Sequence, residues 1–347
     1  MTSVSTPGPG GERRRTFEQF GCQVQLRITP PDGHRGHAEQ RLDRAEAILA
    51  EFDARLSSFR PDSELCALNA DPAAAVPASP MMLRFAEAVH WAGRRSDGLV
   101  DATLLDAVEA AEYHEQWPLG ERDASRHRLH DTPATVGGSH APVEARGDWR
   151  LVAARDDAVH RPPGVRLDSG GLGKGLAADL AATALRGATS WMVDCGGDLR
   201  VGGTARRPRA IDVLSPEDPS QVVHRLYVTS GGVATSGVRR RWGGGEHATH
   251  QLIDPRTGLP ARTDLLQVTA LAPTALEAEV LAKTAMLRGG ANAHAALTHG
   301  GVVVHESGVV EIVPPPTVAR RDRHNRRHLR LTIPPASASS SVEIWPL

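Results

Sequence analysis

The chain has 347 residues, of which 40% are hydrophobic and 23% charged, and its formal net charge at pH 7 is −1. A chain of this length can bury a large core, and we expect two subdomains. The balanced charge argues against a general nucleic-acid or membrane surface, so we expect neither partner. Three cysteines without C-x-x-C spacing argue against a disulfide framework or a thiolate zinc site, and they favour a reducing compartment.

Both ends of the chain are polar. Residues 1–16 contain Pro and Gly and include a run of three arginines, which predicts a disordered N-terminus. An export signal would need an apolar run after the arginines, and no stretch approaches the length of a transmembrane helix. We therefore expect a cytoplasmic protein without a membrane anchor. Residues 314–347 are basic and rich in Pro and Ser, which predicts a solvated tail.

Hydrophobic periodicity predicts helices and strands in an irregular order. Alternation over residues 24–28 indicates a half-buried strand, and apolar residues at helical spacing indicate helices over about 37–56 and 80–94. Residues 114–148 are rich in His, Pro, Gly and Arg without a sustained period, which predicts a long surface loop. Residues 149–160 are typical of a hairpin. Because strands and helices do not alternate regularly, we predict an α+β fold.

The most informative stretch runs from Asp168 to Gly175 and continues as a short helix that ends at Gly187. A glycine-rich turn that enters a helix exposes backbone N–H groups at the positive end of the helix dipole, which suits an anion, and Lys174 adds a full positive charge. The stretch is not a P-loop, because Asp168 and Gly175 occupy positions that need Gly and Ser or Thr. It is not a dinucleotide fingerprint, because Leu176 occupies a Gly position. A glycine turn without a ligand stays open as the alternative.

Three further stretches contain residues that could bind a ligand or take part in a reaction. Asp194 and Asp198 flank a Gly-Gly pair directly after a predicted strand, where glycine lets a ligand approach the backbone. Residues 233–237 supply two hydroxyls in a turn of small residues, and residues 250–258 form an Asp-Pro-Arg-Thr-Gly turn after a strand. An ordinary turn with exposed acids explains the first stretch equally well, the second is weak alone, and turn chemistry explains the third better than a site does.

The last informative stretch is a helix near the end of the predicted domain. Thr274 and Glu277 form a capping box, and Gly289 ends the helix. Glu279 and Lys283 are four residues apart and therefore share a face. A surface ion pair worth a few tenths of a kcal/mol is the plain alternative for these two residues.

Considered together and in this order, these stretches resemble the ApbE family of flavin transferases, the FAD:protein FMN transferases. The family pattern Asp-x-Gly-Gly-x-x-Lys-Gly-x-x-x-Asp is matched by Asp168, Gly170, Gly171, Lys174, Gly175 and Asp179. The other matches are Gly196, Gly197 and Asp198, then Ala234 to Gly237, and then His250 with Asp254, Pro255, Thr257 and Gly258. The resemblance covers about residues 17–313. Each motif is weak alone, and their common order makes the resemblance specific.

The resemblance implies an α+β fold of two related subdomains, with mixed sheets and packed helices and with a ligand cleft between them. It implies that FMN is transferred from FAD to a Ser/Thr hydroxyl of an acceptor flavoprotein, with release of AMP and with Mg²⁺ at the pyrophosphate. Two alternatives stay open. One is a non-catalytic flavin-binding or storage protein, and the other is a pyrophosphatase that hydrolyses FAD to FMN and AMP. The sequence does not reveal the acceptor or the oligomeric state.

The same resemblance implies the site residues. Lys174, His250 and Asp254 are the catalytic candidates, and the sequence does not choose between His250 and an Asp as the base. FAD would be bound by the glycine stretch, the Gly-Gly-Asp turn and the hydroxyl turn. These residues are Asp168, Gly170, Gly171, Gly173, Lys174, Gly175, Asp179, Gly196, Gly197, Asp198, Thr235 and Ser236.

The expected metal position departs from the family pattern. Relatives commonly have Asp, and Thr four residues later, which look like magnesium ligands beside a backbone carbonyl of the glycine loop. Here Glu279 and Lys283 hold those places, and the carbonyl would be that of Gly173. A protonated lysine is no metal ligand, so either Mg²⁺ is held by Glu279, Gly173, phosphate oxygens and water, or the Lys283 ammonium partly replaces it. We favour the first, because magnesium retains water ligands readily.

Overall fold

The computed structural model describes residues 3–31, 37–113, 147–205, 207–238, 252–315, 329–332 and 341–346. In these ranges the chain forms seven α-helices and 18 strands. The helices are α1 (His37–Leu56), α2 (Glu64–Ala70), α3 (Pro80–Arg95), α4 (Leu105–Tyr113), α5 (Gly173–Leu185), α6 (Ala275–Arg288) and α7 (Gly290–Ala296). The strands are β1 (Val4–Pro7), β2 (Arg13–Gln19), β3 (Cys22–Thr29), β4 (Ala75–Pro77), β5 (Ala153–Arg155), β6 (Ala158–His160), β7 (Ser190–Cys195), β8 (Asp198–Gly202), β9 (Arg209–Leu214), β10 (Val222–Val228), β11 (Gly231–Gly237), β12 (Ile253–Asp254), β13 (Leu259–Pro260), β14 (Leu265–Ala272), β15 (Gly301–His305), β16 (Val310–Val313), β17 (Leu329–Thr332) and β18 (Ser341–Pro346).

Contacts between residues divide the chain into two compact units. The first consists of Met1–Asp53, Leu172–Arg240 and Arg262–Leu347, and the second of Ala54–Gly171 and Arg241–Ala261. Each unit contains helices and sheets that do not alternate regularly along the chain. The α+β prediction is therefore confirmed.

The first unit contains a nine-stranded sheet of order β1-β2-β3-β7-β8-β11-β14-β15-β16, in which every neighbouring pair is antiparallel. It also contains a four-stranded sheet of order β17-β18-β10-β9, in which β10 and β18 are parallel. The resemblance implied mixed sheets in general, and among the described strands only this smaller sheet is mixed. Four of the eight neighbouring pairs of the large sheet are joined by short turns, which allow only antiparallel pairing, since a parallel pair needs a longer crossover.

Helices cover one face of the large sheet. α5 packs against β7, β8 and α6, and α6 packs against β11 and β14. The opposite face packs on β9 and β10 through a cluster of buried apolar side chains. Its members are Met192, Leu199, Val201, Ile211, Val213, Leu226, Val228, Val233, Leu271 and Val302. Because the sheet is covered on both faces here, its central strands are rich in apolar residues and show little alternation.

Local sequence signals set the ends of several helices. The hydroxyl of Thr274 accepts a hydrogen bond from the N–H of Glu277 at 3.1 Å, and Gly289 with φ of 73° follows the last residue of α6. The predicted helix from the capping box to Gly289 is therefore present. The helices predicted over about 37–56 and 80–94 correspond to α1 and α3.

The second unit contains α2, α3, α4, a three-stranded sheet of order β4-β6-β5 and the hairpin of β12 and β13. The hairpin predicted over 149–160 is shorter than expected, because only β5 and β6 form it. Asp148–Leu151 forms a 3-10 helix instead, in which Trp149 is buried against Gly93 of α3. Burial of one large ring decides the local conformation, and strand propensity does not. The rest of the predicted loop, 114–146, lies outside the described residues.

Both ends of the chain differ from the sequence expectation. Residues 1–16 were expected to be disordered, yet they contribute β1 and the first half of β2 to the large sheet. The buried Arg15 side chain explains part of this order, since it donates to Asp43 at 2.6 Å and Glu46 at 2.9 Å on α1. In 314–347, expected to be a solvated tail, β17 and β18 join the smaller sheet. None of the helices in the described part combines the length and apolar character needed to cross a bilayer.

Candidate functional site

The start of α5 carries the first half of the site. Lys174 is the second residue of α5, and its Nζ lies 2.8 Å from Oδ2 of Asp198, the first residue of β8. The Asp198 side chain is 3% exposed and that of Lys174 is 35% exposed. The pair therefore consists of a partly exposed ammonium and a buried carboxylate. No side chain at Leu172 caps α5, which leaves its first N–H groups to be satisfied from elsewhere.

The hairpin of β7 and β8 fixes the position of Asp198. Gly196 and Gly197 form its two-residue turn with φ of 66° and 98°, a conformation that strongly favours glycine. Oδ1 of Asp194 accepts a hydrogen bond from the Gly197 N–H at 2.9 Å, which holds the turn closed. An ordinary turn with exposed acids was the alternative interpretation. It does not describe Asp198, which is buried beside Lys174.

Glu279 on α6 carries the second half of the site. Its side chain is 1% exposed, and both carboxylate oxygens have partners. Oε2 accepts a hydrogen bond from the Gly175 N–H at 2.8 Å, and Oε1 accepts one from Lys283 Nζ at 2.8 Å. Glu279 therefore caps α5 from the neighbouring helix. A surface ion pair was the alternative interpretation of Glu279 and Lys283, but the pair is largely buried, because α5 packs against this face of α6.

Two carboxylates and two ammonium groups thus interact in one region of the first unit. The charge of Asp198 is the main cause that raises the pKa of Lys174, with burial opposing and Glu279 adding to the increase. Burial, followed by the charge of Glu279, raises the pKa of Asp198 to about 6 although both lysines oppose this. Lys174 is therefore charged at neutral pH, and Asp198 is the member of the region that titrates in the mildly acidic range.

Residues 233–237, predicted as a turn of small residues, belong to strand β11 instead, and sheet register places this strand beside β8. Ala234 of β11 pairs with Asp198 of β8, so the hydroxyls of Thr235 and Ser236 follow directly after that pair. Thr235 is exposed, and its Oγ1 lies 2.9 Å from Oγ1 of Thr269 on β14. Because successive strand residues face opposite sides of a sheet, Ser236 shares the face of Ala234 and Asp198, whereas Thr235 shares the opposite face with Thr269.

Asp179 has a position that differs from the other expected flavin ligands. Its two oxygens accept hydrogen bonds from the N–H groups of Ala275 at 3.0 Å and Leu276 at 2.9 Å, which are the first two residues of α6. Arg200 Nε lies 2.9 Å from Oδ1 of the same carboxylate. These contacts make Asp179 the link that joins α5, β8 and the start of α6.

The remaining glycine-stretch residues belong to the second unit. The N–H of Asp168 donates to the carbonyl of Ala102 at 2.8 Å, and the hydroxyl of Ser169 donates to the carbonyl of Leu56 at 2.6 Å. Gly170 is exposed, and nothing lies within 4 Å of the position that a Cβ on Gly171 would occupy. The backbone around Gly170 and Gly171 is therefore open to a ligand.

The two candidate bases differ in what the structure describes. His250 lies outside the described residues. Asp254 ends β12 in the second unit and accepts hydrogen bonds from Arg256, with Oδ2 2.7 Å from Nη2. Burial alone would raise the pKa of Asp254, but the hydrogen bonds and charge of Arg256 lower it. The Asp254 carboxylate is therefore ionised at neutral pH and already paired.

The expected magnesium position does not fit a divalent ion as the residues are arranged. Oε1 of Glu279 is occupied by the Lys283 ammonium and Oε2 by the Gly175 N–H. Within the part of the chain that the structure describes, no group of three or more His, Cys, Asp or Glu side chains is placed to hold a metal ion. A divalent ion at Glu279 would have to displace Lys283 and would meet a second ammonium, that of Lys174, whose charge also acts on Glu279.

Two features of the site escaped the sequence prediction. Arg200, the partner of Asp179, could have been suspected, because a charged residue inside an apolar strand usually needs a buried counter-charge. Gly175 matters for a reason no local pattern reveals. A Cβ there would lie 2.7 Å from the carbonyl oxygen of Ala275 and 2.9 Å from Oε2 of Glu279, so glycine permits the contact of α5 with α6.

This fold and site define a class of protein, and similarity to known proteins identifies it. A model of the ApbE family matches residues 20–304, and the chain therefore belongs to the ApbE family.

Named relatives agree with that membership. The FAD:protein FMN transferase of Salmonella typhimurium is 29% identical over 255 residues, which cover 70% of this chain and 70% of the relative. The FAD:protein FMN transferase of Escherichia coli K12 is 27% identical over 280 residues, 77% of each chain. The crystal structure of the ApbE protein of Thermotoga maritima has a TM-score of 0.69 at 20% identity and covers 90% of this chain and 97% of that chain. At this identity the structural similarity shows the fold alone.

Proposed function

We propose that this protein transfers FMN from FAD to a Ser or Thr hydroxyl of an acceptor flavoprotein and releases AMP. Its family relatives carry the name FAD:protein FMN transferase. The observation that carries the proposal is the charged Lys174, which lies at the start of α5 above buried Asp198. An ammonium at a helix N-terminus suits the pyrophosphate that joins the two halves of FAD.

In the proposed reaction the acceptor oxygen attacks the FMN phosphorus. A new P–O bond to the acceptor forms, the bond to the bridging oxygen breaks, and AMP leaves with that oxygen. Lys174 and the backbone amides of the glycine stretch neutralise the charge that develops on the phosphates, which is the main requirement of phosphoryl transfer. Asp198 holds the Lys174 ammonium in place.

The hydroxyl proton needs an acceptor. Arg256 already pairs with Asp254 and lowers its pKa, which counts against Asp254 as the base and favours His250. The residues around Glu279 do not fit the magnesium that the resemblance implies, because the Gly175 N–H and the Lys283 ammonium contact its two oxygens. The cytoplasmic location and the lack of a membrane anchor stay predictions from the sequence.

One assay tests the proposal against its alternatives. The protein is incubated with FAD and a candidate acceptor, and AMP and protein-bound flavin fluorescence on a denaturing gel are measured. A transferase produces both together, and replacing the acceptor hydroxyl residue with Ala abolishes both. AMP without an acceptor identifies a pyrophosphatase. Bound FAD without AMP identifies a storage protein, and either result refutes the proposal.

A further inference from the structure

Lysine is rare in this chain, and its two positions are not random. The sequence contains two lysines, Lys174 and Lys283, among 40 Lys and Arg residues, so 38 are Arg. Both lysines lie 2.8 Å from a buried carboxylate of the same region, Lys174 from Asp198 and Lys283 from Glu279. A compact ammonium concentrates its charge at one point, whereas a guanidinium spreads it over a planar fork. The region therefore uses the one cationic side chain that resembles a small ion.

The Lys283 ammonium also pairs with the second oxygen of Glu279. Oε2 of Glu279 is held by the Gly175 N–H, so Oε1 is the oxygen that could accept an ion, and Lys283 Nζ lies on it at 2.8 Å. The side chain of Lys283 is 18% exposed and that of Glu279 is 1% exposed. Removing either partner would leave a buried charge without compensation, which is strongly unfavourable.

The charges of the region also argue against a divalent cation. Asp198 and Glu279 contribute two negative charges, and Lys174 and Lys283 contribute two positive ones. These four charges balance one another before any ligand binds, which weakens the attraction of the region for a divalent cation. A pyrophosphate that binds here would contact the ammonium of Lys174, whose side chain is 35% exposed. The second ammonium, that of Lys283, is paired with Glu279.

We propose that the Lys283 ammonium takes the place on Glu279 that a divalent cation would need, so that this protein binds the FAD pyrophosphate without a metal ion. The proposal rests on the proposed function, because it assumes that FAD is the ligand. Lys283 is a positioning residue here, since it acts through Glu279 and the start of α5. This differs from the magnesium site that the family pattern implies.

The first experiment measures metal binding without flavin. Mn²⁺ is titrated into the parent, Lys283→Thr, Lys283→Arg and the double variant Lys283→Thr/Glu279→Gln, and free Mn²⁺ is followed by electron paramagnetic resonance. We expect no stoichiometric Mn²⁺ binding to the parent or to Lys283→Arg. Lys283→Thr frees Oε1 of Glu279 and should gain one site, which the double variant loses again. A stoichiometric site in the parent overturns the proposal.

The second experiment measures FAD affinity by flavin fluorescence, in excess chelator and then with excess Mg²⁺. We expect the parent Kd to change by less than about twofold between the two conditions. In chelator, Lys283→Thr should bind FAD about 10- to 100-fold more weakly than the parent, as expected for the loss of one charge-assisted interaction. Excess Mg²⁺ should restore most of the lost affinity. Lys283→Arg should remain insensitive to the chelator. A parent that needs Mg²⁺ to bind FAD contradicts the proposal.

The two experiments separate this proposal from the proposed function. Metal titration needs no flavin, so it tests Lys283 even if no acceptor is ever modified. If the parent binds FAD in chelator but releases no AMP with any acceptor, the transferase proposal fails and the role of Lys283 stands. If AMP and flavinylated acceptor appear only with Mg²⁺ and the parent binds Mn²⁺, the transferase proposal stands and the role of Lys283 fails.

Discussion

At the scale of single residues, the site depends on burial as much as on charge. Asp198 is almost fully enclosed at the end of a hairpin, and only its contact with Lys174 compensates its charge directly. Such a carboxylate holds a lysine in place without exposing a competing anion to the ligand. Lys174 can therefore face a phosphate with little loss of side-chain freedom, because its position is already fixed.

Replacing Lys174 with Ala should weaken FAD binding. A charge-assisted contact to phosphate contributes on the order of 1.5–3 kcal/mol, which corresponds to about 10- to 150-fold in Kd. Fluorescence titration at fixed salt measures the change, and Lys174→Arg serves as the control that keeps the charge. Equal affinity of Lys174→Ala and the parent would show that the start of α5 does not bind the pyrophosphate.

Asp198 should also give the stability of the parent a recognisable pH dependence. Its pKa is raised from 3.8 to about 6 in the folded protein, so the folded state binds the proton more tightly than the unfolded state. This contribution to stability is present below about pH 4 and is lost as pH rises through about 6. In Asp198→Asn that decline should become smaller, as measured by urea unfolding between about pH 4 and pH 7. Burial also raises the pKa values of Asp101, Asp179 and Asp194, so part of the decline remains.

Asp212→Asn is the control, because the pKa of Asp212 is shifted in the direction opposite to that of Asp198. Hydrogen bonds from Arg225 are the main cause that lowers the pKa of Asp212, so its contribution is present above the unfolded pKa and lost as pH falls. Its removal should leave the decline between about pH 4 and pH 6 intact. The assignment to Asp198 is rejected if both variants keep the parent profile in that range.

At the scale of elements, the contact of α5 with α6 organises the site. α5 has no capping side chain at its own N-cap, and Glu279 of α6 replaces it. In return, Asp179 of α5 receives the first two N–H groups of α6. The two helices therefore cap each other with carboxylates, and Gly175 leaves the room that this arrangement needs.

Gly175→Ala should separate the two helices. The added Cβ would lie within 3 Å of Glu279 Oε2 and of the Ala275 carbonyl, and the carbonyl belongs to the backbone and cannot move aside as a flexible side chain can. Overpacking of this kind typically costs about 1–3 kcal/mol, and FAD affinity should fall with it. Gly171→Ala is the matched control for thermal stability, because open space surrounds its Cβ position. An unchanged Tm for Gly175→Ala would contradict the close contact.

Asp179→Ala should reveal a structural role for this residue. The change removes the cap of α6 and the partner of Arg200, so stability should fall by about 1–2 kcal/mol or more. FAD affinity of the folded protein should change little, because both oxygens already have partners within the protein. Asp179→Asn should recover part of the stability. If affinity falls while Tm is retained, Asp179 is a flavin ligand after all.

At the scale of the whole molecule, distant segments complete the sheets of the first unit. β1 and β2 from the start of the chain form one edge of the nine-stranded sheet, and β16 forms the other. In the smaller sheet, β18 lies between β17 and β10 and pairs with both. The segment that composition marks as a tail therefore supplies an interior strand.

Removal of residues 333–347 should lower the thermal stability of the protein. The deletion takes away β18, leaves β17 without its partner and exposes the backbone edge of β10. Tm by circular dichroism measures the effect, and a deletion confined to 335–339, which leaves both strands, is the control. A Tm equal to that of the parent would show that β18 does not contribute to the folded unit.

The sequence by itself determined the local elements and the order of the motifs. Periodicity located α1 and α3, the capping box and Gly289 bounded α6, and the glycine stretch predicted the start of α5. These signals arise from interactions within a few residues, so the amino-acid sequence alone contains them.

Only the tertiary structure decided which charges compensate one another. Lys174 meets Asp198 and Glu279 meets Gly175 across 24 and 104 positions of sequence, through sheet register and helix packing. The same long-range packing buries the pair of Glu279 and Lys283, which the sequence alone could also place on the surface. Near the end of the chain, β18 became a strand because β10, far away in sequence, offered it a free edge. Burial and pairing depend on such distant partners, and no local pattern encodes them.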